Sequence, residues 1–419
     1  MAGGTGAGLV DGAGVAERFD PFGDAYQQDP PAALAEARRH QPVFYSPLLD
    51  MWVVTRYHDI KAALHDSRRF TAANALEPIT PLGAEAREVL DGYGFAPGPV
   101  LVNEDPPRHL PRRKLLAPPL AAPEIEPLEG RIRDLVTGYI DAFADRGHAD
   151  LIQDLVWEVP AVVGLLVAGV PEEYVAQARG YAVKMGLFTW GRPTGEHQRE
   201  IADQVGRWWT LAGELVDLLR REKGTGWIPH AIEMQREHPD VISDNQLQNM
   251  MMSGLVAAHE TTTNATANAL KCLLTQRDAW TALCADPSAV PNAVEESLRH
   301  STSVLCWRRR TRAAVTLGGV RIPAQSPVLL MIGSGNHDAD VFPDPERFDI
   351  HRPNAKRHLS FGIGSHACLG APLARLEMRI ILEELTRRPP GLRLVPGTTF
   401  TYPPNASFHG PLQLPVEWD

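Results

Sequence analysis

The stretch from His358 to Glu377, HLSFGIGSHACLGAPLARLE, constrains this chain more than any other part of it. It sets one cysteine, Cys368, between a loop punctuated by Gly362 and Gly364 and a helix-forming run over 371–385. Where a loop becomes a helix, the first backbone N–H groups have no intrahelical partner and carry the positive end of the helix dipole. They can donate to a sulfur held there as thiolate, and a thiolate held that way can ligate a metal. Gly362, Gly364 and Gly370 suit a tight turn around sulfur and the close approach of a flat ligand. Phe361 is placed to keep water off the sulfur. Taken alone, a cysteine before a helix also reads as a small buried hydrophobe.

The whole string is more specific: Phe-Gly-x-Gly-x-His-x-Cys-x-Gly followed by Leu-Ala-Arg. It resembles the haem-binding loop of the cytochrome P450 family, where the cysteine thiolate is the axial ligand of haem iron. The resemblance implies that Cys368 is the proximal ligand, that Phe361 packs over it beside Gly362, and that His366 reaches a haem propionate. It also implies a mainly α, helix-rich single domain with a small β-sheet region over 20–419; the glycine-rich start of the chain, 1–19, reads by its own composition as a flexible tail.

Bulk properties narrow the partners. The 419 residues allow two domains or one large one. A net charge of −10 with no basic stripe argues against nucleic acid. Four cysteines with no C-x-x-C pairing point to a reducing, cytoplasmic compartment. The N-terminus has neither the basic start nor the apolar core of an export signal, and its Gly4-Thr5-Gly6-Ala7-Gly8 follows no strand that would make it a dinucleotide loop. The longest apolar run, 156–170, is broken by Glu158 and Pro160 and falls short of the ~20 residues that span a bilayer. No membrane partner is expected.

In chain order, 42–46 and 51–55 read as a hairpin, 57–60 opens a short helix, and 76–99 is a long loop with one helix at 84–90. A loop of that length is often functional. His109 and Arg113 are four apart, so a helix puts both on one face, suited to a carboxylate; a solvated basic helix end is the alternative. The P450 resemblance assigns them to the haem propionates. Pro111 is expected to displace the first turn there. Arg112 and Lys114 would then point outward, where an acidic electron donor could dock. Helical spacing continues from 125 to 238, interrupted at 185–191, whose aromatics serve either a pocket roof or plain packing.

A long helix follows over 244–274, with Asp244 as its expected N-cap. Inside it, Ala257-Ala258-His259-Glu260-Thr261-Thr262-Thr263 is a poor sequence for a buried helix, because hydroxyl β-branched residues lower helix propensity and a buried acid needs a partner. It resembles the P450 motif in which Thr261 would be the alcohol next to bound dioxygen and Glu260 the acid that feeds protons. Ala258 departs from the commoner glycine, and its methyl is expected to narrow the oxygen groove.

Glu296 and Arg299 form Glu-x-x-Arg, which the family completes with a third residue, here expected to be Arg347 in Pro345-Glu346-Arg347-Phe348. Arg309 matches the family's other propionate arginine, with Arg308 and Arg310 as fallbacks. Val256, Ala257, Leu305 and Phe408 are the expected substrate-pocket residues. Asn336-His337-Asp338 and Trp307-Arg308-Arg309 look closest to the haem domains of self-sufficient bacterial P450s.

The function so implied is insertion of one oxygen atom from O2 into an apolar small molecule. Haem b is the cofactor, and NAD(P)H electrons arrive through a separate ferredoxin and ferredoxin reductase, or flavodoxin. Peroxide-driven oxidation and a haem-thiolate sensor or carrier remain as alternatives.

Overall fold

The computed structural model describes residues 14–388 and 391–419. The Gly4–Gly8 run and most of the expected tail lie outside the described residues. The tail boundary at 19 does not hold: Val15–Arg18 form a helical turn, and Phe19 is buried, with its ring edge-on to Tyr26 at 5.8 Å and to Phe44 at 5.6 Å. An aromatic anchor draws this segment onto the sheet.

Among the described residues ten strands form three small sheets: β1 (Val43–Ser46), β2 (Met51–Val54), β3 (Phe70–Thr71), β4 (His148–Asp150), β5 (Trp307–Thr311), β6 (Val315–Leu317), β7 (Val320–Ile322), β8 (Pro327–Leu330), β9 (Arg393–Leu394) and β10 (Pro415–Glu417). The largest has the order β1-β2-β8-β5-β3. Its hairpin β1–β2 pairs Val43 with Val54, and β8 joins β2 in parallel, so an N-terminal hairpin is built onto C-terminal strands. Gly318 and Gly319, at φ 52° and 79°, turn β6 into β7.

The rest is largely helical. The central helix, Asp244–Thr275, packs against Glu158–Ala168, Val175–Trp190, Gly195–Glu222, Val290–His300 and Ala371–Arg387. Its N-cap is Ser243, not Asp244: the Ser243 hydroxyl accepts from the Gln246 N–H at 3.3 Å, and Gln246 Oε1 accepts from the Ser243 N–H at 2.9 Å. Asp244, one residue on, instead accepts from Gln235 and Arg220.

Two hydrophobic cores meet on this helix. Leu247, Met250, Met251, Met252 and Leu255 belong to the core under Val175–Trp190 and Gly195–Glu222. Ala265, Ala269, Leu270 and Leu273 belong to the core shared with Ala371–Arg387. The stretch between these two sets, 256–264, joins neither core, and Ala257 within it is exposed although the helix runs through the middle of the fold. Among the described residues no helix is long and apolar enough to cross a membrane.

Candidate active site

The cysteine loop is shaped by its backbone. Gly362 and Gly364 sit at φ 61° and 75°, a conformation other residues rarely adopt. A Cβ on Gly364 would also stand 3.2 Å from the Leu64 carbonyl. Cys368 N–H donates to the Phe361 carbonyl at 2.8 Å, which closes the loop. The sulfur accepts from the N–H groups of Gly370 and Ala371, the N-cap and first residue of Ala371–Arg387. Burial pushes the thiol up, while those two N–H groups and the charge of Arg113 draw it back. Cys368 is exposed yet lies deep among protein atoms, which is the position of a side chain on the floor of a cleft. Gly370 needs no special angle: its φ is −79°, and a Cβ there would meet Sγ at an ordinary 3.8 Å. The Phe361 ring lies under the Arg375 guanidinium at 4.5 Å, and Arg375 is held by Glu295 at 2.6 Å.

Four basic side chains converge beside this loop. His109 and Arg113 lie on His109–Leu116, and Pro111 leaves the first turn intact, because the N–H it lacks would have had no intrahelical partner. His109 is fully buried and stacks on His366 with ring centroids 4.0 Å apart. His366 Nδ1 donates to the Leu101 carbonyl at 3.1 Å, and its Nε2 is buried without a partner. Burial, with the charges of Arg309 and His109, pushes His366 down to about 3. Arg113 donates to the Ala367 carbonyl at 2.5 Å, tying its helix to the cysteine loop. Arg309 is buried, donates to the Arg308 carbonyl at 2.7 Å, and is pushed down to about 10 by desolvation.

Strand alternation separates Arg309 from its neighbours. Arg308 turns the other way, donating to the Ala75 and Thr189 carbonyls under Trp190 at 4.0 Å, and Arg310 pairs with Glu77 at 3.3 Å. Arg112 is not available to a docking partner. It is buried, pairs with Glu104 and donates from Nε to the Val241 carbonyl at 2.9 Å. Lys114 is exposed.

On the central helix, Thr261 donates its hydroxyl to the Ala257 carbonyl at 2.5 Å, one turn back. Glu260 is buried, its Oε2 has no partner, and burial raises its carboxyl well above the usual carboxylate range. It packs against Gly186 on Val175–Trp190, where a Cβ would stand 2.3 Å from Oε2. The Ala258 methyl does not enter an oxygen groove. It faces Gly164 on Glu158–Ala168, where a Cβ would approach it to 2.9 Å. Phe188 and Trp190 are buried packing residues, and the helix carrying them continues through 190.

Of the expected pocket residues, Val256 and Phe408 join one apolar cluster with Trp190 and Leu329. Leu305 belongs to that cluster but leans on Gly333, its Cδ2 3.1 Å from the Cβ position there. Val304 is half-buried, bridges to Phe408 and packs on the same cluster; alternation about Leu305 would have pointed to it. Gly186 also escaped the sequence reading, because nothing local marks a glycine that makes room for a side chain on another helix.

The Glu-x-x-Arg pair is fully buried, with Arg299 bidentate on Glu296 at 2.8 Å and 2.8 Å. Its third member is Arg352, which donates to Glu296 Oε1 at 3.0 Å, and not Arg347. The Arg347 side chain is 71% exposed; only its carbonyl takes part, accepting from Arg299 at 3.1 Å and Arg352 at 2.7 Å.

Residues 288–388 match the family described as Cytochrome P450. Mycinamicin IV hydroxylase/epoxidase of Micromonospora griseorubida is 34% identical over 377 residues, 88% of this chain and 90% of that protein. The chain belongs to the cytochrome P450 family. Its fold superposes on an intact type IV self-sufficient cytochrome P450 monooxygenase with a TM-score of 0.94 at 50% identity, covering 97% of this chain and 53% of that one. It therefore spans about half the length of that P450. The Tepidiphilus thermophilus P450 heme domain matches at a TM-score of 0.93 and 45% identity, with 97% of each chain covered.

This P450 monooxygenase belongs to a family that works with haem and O2, and the residues present fit haem. An accessible sulfur held by two N–H groups faces a cleft. Beside it, the side chains of Arg113 and Arg309 donate only to backbone carbonyls among the described residues, and His366 keeps an unpartnered buried nitrogen. Arg309 is buried and Arg113 half-buried, and cations so withdrawn from water call for an anion, which two carboxylates would supply.

Proposed function

We propose that this P450 hydroxylates or epoxidises an apolar small organic molecule with O2, and that Cys368 is the proximal ligand of haem b. The observation that carries the reading is the pairing of the accessible Cys368 sulfur, capped by the Gly370 and Ala371 N–H groups, with cations that lack a carboxylate partner. Bound at Cys368, haem supplies O2 activation and transfer of one oxygen atom to the substrate.

The protein's own residues do the rest. The N–H groups of Gly370 and Ala371 favour the charged sulfur. Arg113, Arg309, His109 and His366 hold the propionates. Because the Thr261 hydroxyl donates to Ala257, its oxygen keeps lone pairs that accept from a group in the cleft. Glu260 stays protonated where burial holds it, so a turn of its side chain away from Gly186 would bring a proton toward Thr261. Val256 and Phe408, with Val304 beside them, present an apolar wall that excludes water and favours an apolar substrate. Electrons from NAD(P)H pass through a ferredoxin and its reductase, or a flavodoxin, docking near exposed Lys114 on the helix that Arg113 ties to the cysteine loop and near exposed Arg108 just before that helix.

The test compares product formation with NADPH plus a surrogate ferredoxin and reductase against hydrogen peroxide alone, beside the carbon monoxide difference spectrum of the reduced protein. Donor-linked product and a red-shifted spectrum that Cys368→Ser abolishes are expected. Product with peroxide only would replace the electron-donor part of the reading, and no product by either route would overturn it.

A further inference from the structure

Cys272 lies in the last turns of the central helix, 15 residues beyond Ala257 and so about 22 Å along the axis. It lines a cavity of about 820 Å³ together with Asn268, Lys271, His300, Ser301 and His409, with Leu305 on another part of its wall. Three polar atoms meet there. Cys272 Sγ is 3.1 Å from Ser301 Oγ and 3.9 Å from His300 Nδ1, and those two are 3.0 Å apart.

The His300 tautomer follows from its other nitrogen. Nε2 is 3.1 Å from the Glu346 carbonyl, which can only accept, so Nε2 carries the proton and Nδ1 faces the thiol as a base. Burial opposes ionisation of Cys272, but the His300 contact, the Lys271 charge and Ser301 outweigh it and draw the thiol below its ordinary value. A separate observation concerns the cavity wall. Asn268, one turn earlier on the same helix face, is fully buried; its amide donates to the His409 carbonyl at 2.9 Å while its Oδ1 accepts from nothing. Asn268 belongs to the lining of the same cavity, and a small O–H donor that reached its Oδ1 would satisfy that acceptor.

We infer that Cys272 is a peroxide-reactive thiol, with His300 as its base and Asn268 Oδ1 as the acceptor that seats hydrogen peroxide. The thiol proton passes to His300 Nδ1, directly or through Ser301. Sulfur attacks one peroxide oxygen, an S–O bond forms, the O–O bond breaks, and the departing hydroxide takes the proton from His300 to leave as water. Cysteine is oxidised to sulfenic acid and peroxide is reduced to water, so no further reagent is needed.

Haem-loaded protein without electron donor is treated with hydrogen peroxide, trapped with dimedone, and each cysteine peptide is quantified by mass spectrometry. The comparison is Cys284, which is more exposed than Cys272 but whose thiol is raised by burial. The expected result is adduct at Cys272 about ten-fold faster than at Cys284. His300→Gln slows the reaction of Cys272 with both peroxide and iodoacetamide, while Asn268→Ala slows only that with peroxide. Faster labelling of Cys284, or an unchanged Cys272 rate in His300→Gln, overturns the inference.

Discussion

Glu296 takes two arginines at once, Arg299 from its own helix and Arg352 from 56 residues further on, with all three side chains buried. Removing one cation leaves a buried carboxylate short of a partner, which costs about 3 kcal/mol. Arg352→Ala is therefore expected to lower stability by about 3 kcal/mol in urea denaturation, whereas Arg347→Ala, truncating an exposed side chain, should stay within about 0.5 kcal/mol. Equal losses in the two variants would return the third position to Arg347. The Glu-x-x-Arg spacing was legible because both residues sit on one helix. The third member was not, since Arg347 and Arg352 are equally basic in the sequence and only the turn of the chain after Phe348 decides which guanidinium comes inward.

On the central helix, what matters is which neighbour each side chain meets. Ala258 sits against Gly164, so Ala258→Gly would open a gap and add backbone freedom; a loss of about 1 kcal/mol without tighter coupling of O2 use to product is expected. A gain in coupling would restore the idea that this methyl crowds the oxygen groove. Gly186 bears on the same helix from Val175–Trp190. Its replacement by alanine forces the Glu260 carboxyl or that helix to move, so Gly186→Ala should cost about 1–3 kcal/mol and shift the pH profile of turnover. A variant with unchanged stability and profile would show that Glu260 already has room to move.

Across the whole molecule, two cores share one long helix, and the stretch between them carries the proposed site residues Glu260 and Thr261. Buried histidines make that arrangement sensitive to acid. His259 Nε2 donates to the Trp157 carbonyl at 2.9 Å, and His409 Nε2 donates to the Gln27 carbonyl at 2.8 Å. Burial pushes each down to about 4 from the ordinary 6.5. The folded state then binds these protons later than the unfolded chain. Their contribution is complete above pH 6.5 and is lost as pH falls from 6.5 to 4, at up to about 1.4 kcal/mol per pH unit for each histidine. Urea midpoints measured from pH 7.5 to 4.5 should fall through that window and fall less steeply in His409→Gln. A wild-type midpoint that stays level to pH 4.5 would remove these residues from the acid response.

The Glu-x-x-Arg pair and the P450 family itself were readable from the amino-acid order, as were the positions of Cys368 just before its helix and of Glu260 and Thr261 within the central one. Each is local: a few residues at fixed spacing, and that spacing is what carries the resemblance to the family. Tertiary structure decided the rest. It chose Arg352 over Arg347, buried Arg112 against Glu104, turned Ala258 toward Gly164, and put Val304 beside Phe408 while Leu305 leaned on Gly333. These outcomes depend on which side chain finds space and a partner across elements far apart in the chain, and periodicity within one element carries no record of what will be packed against it.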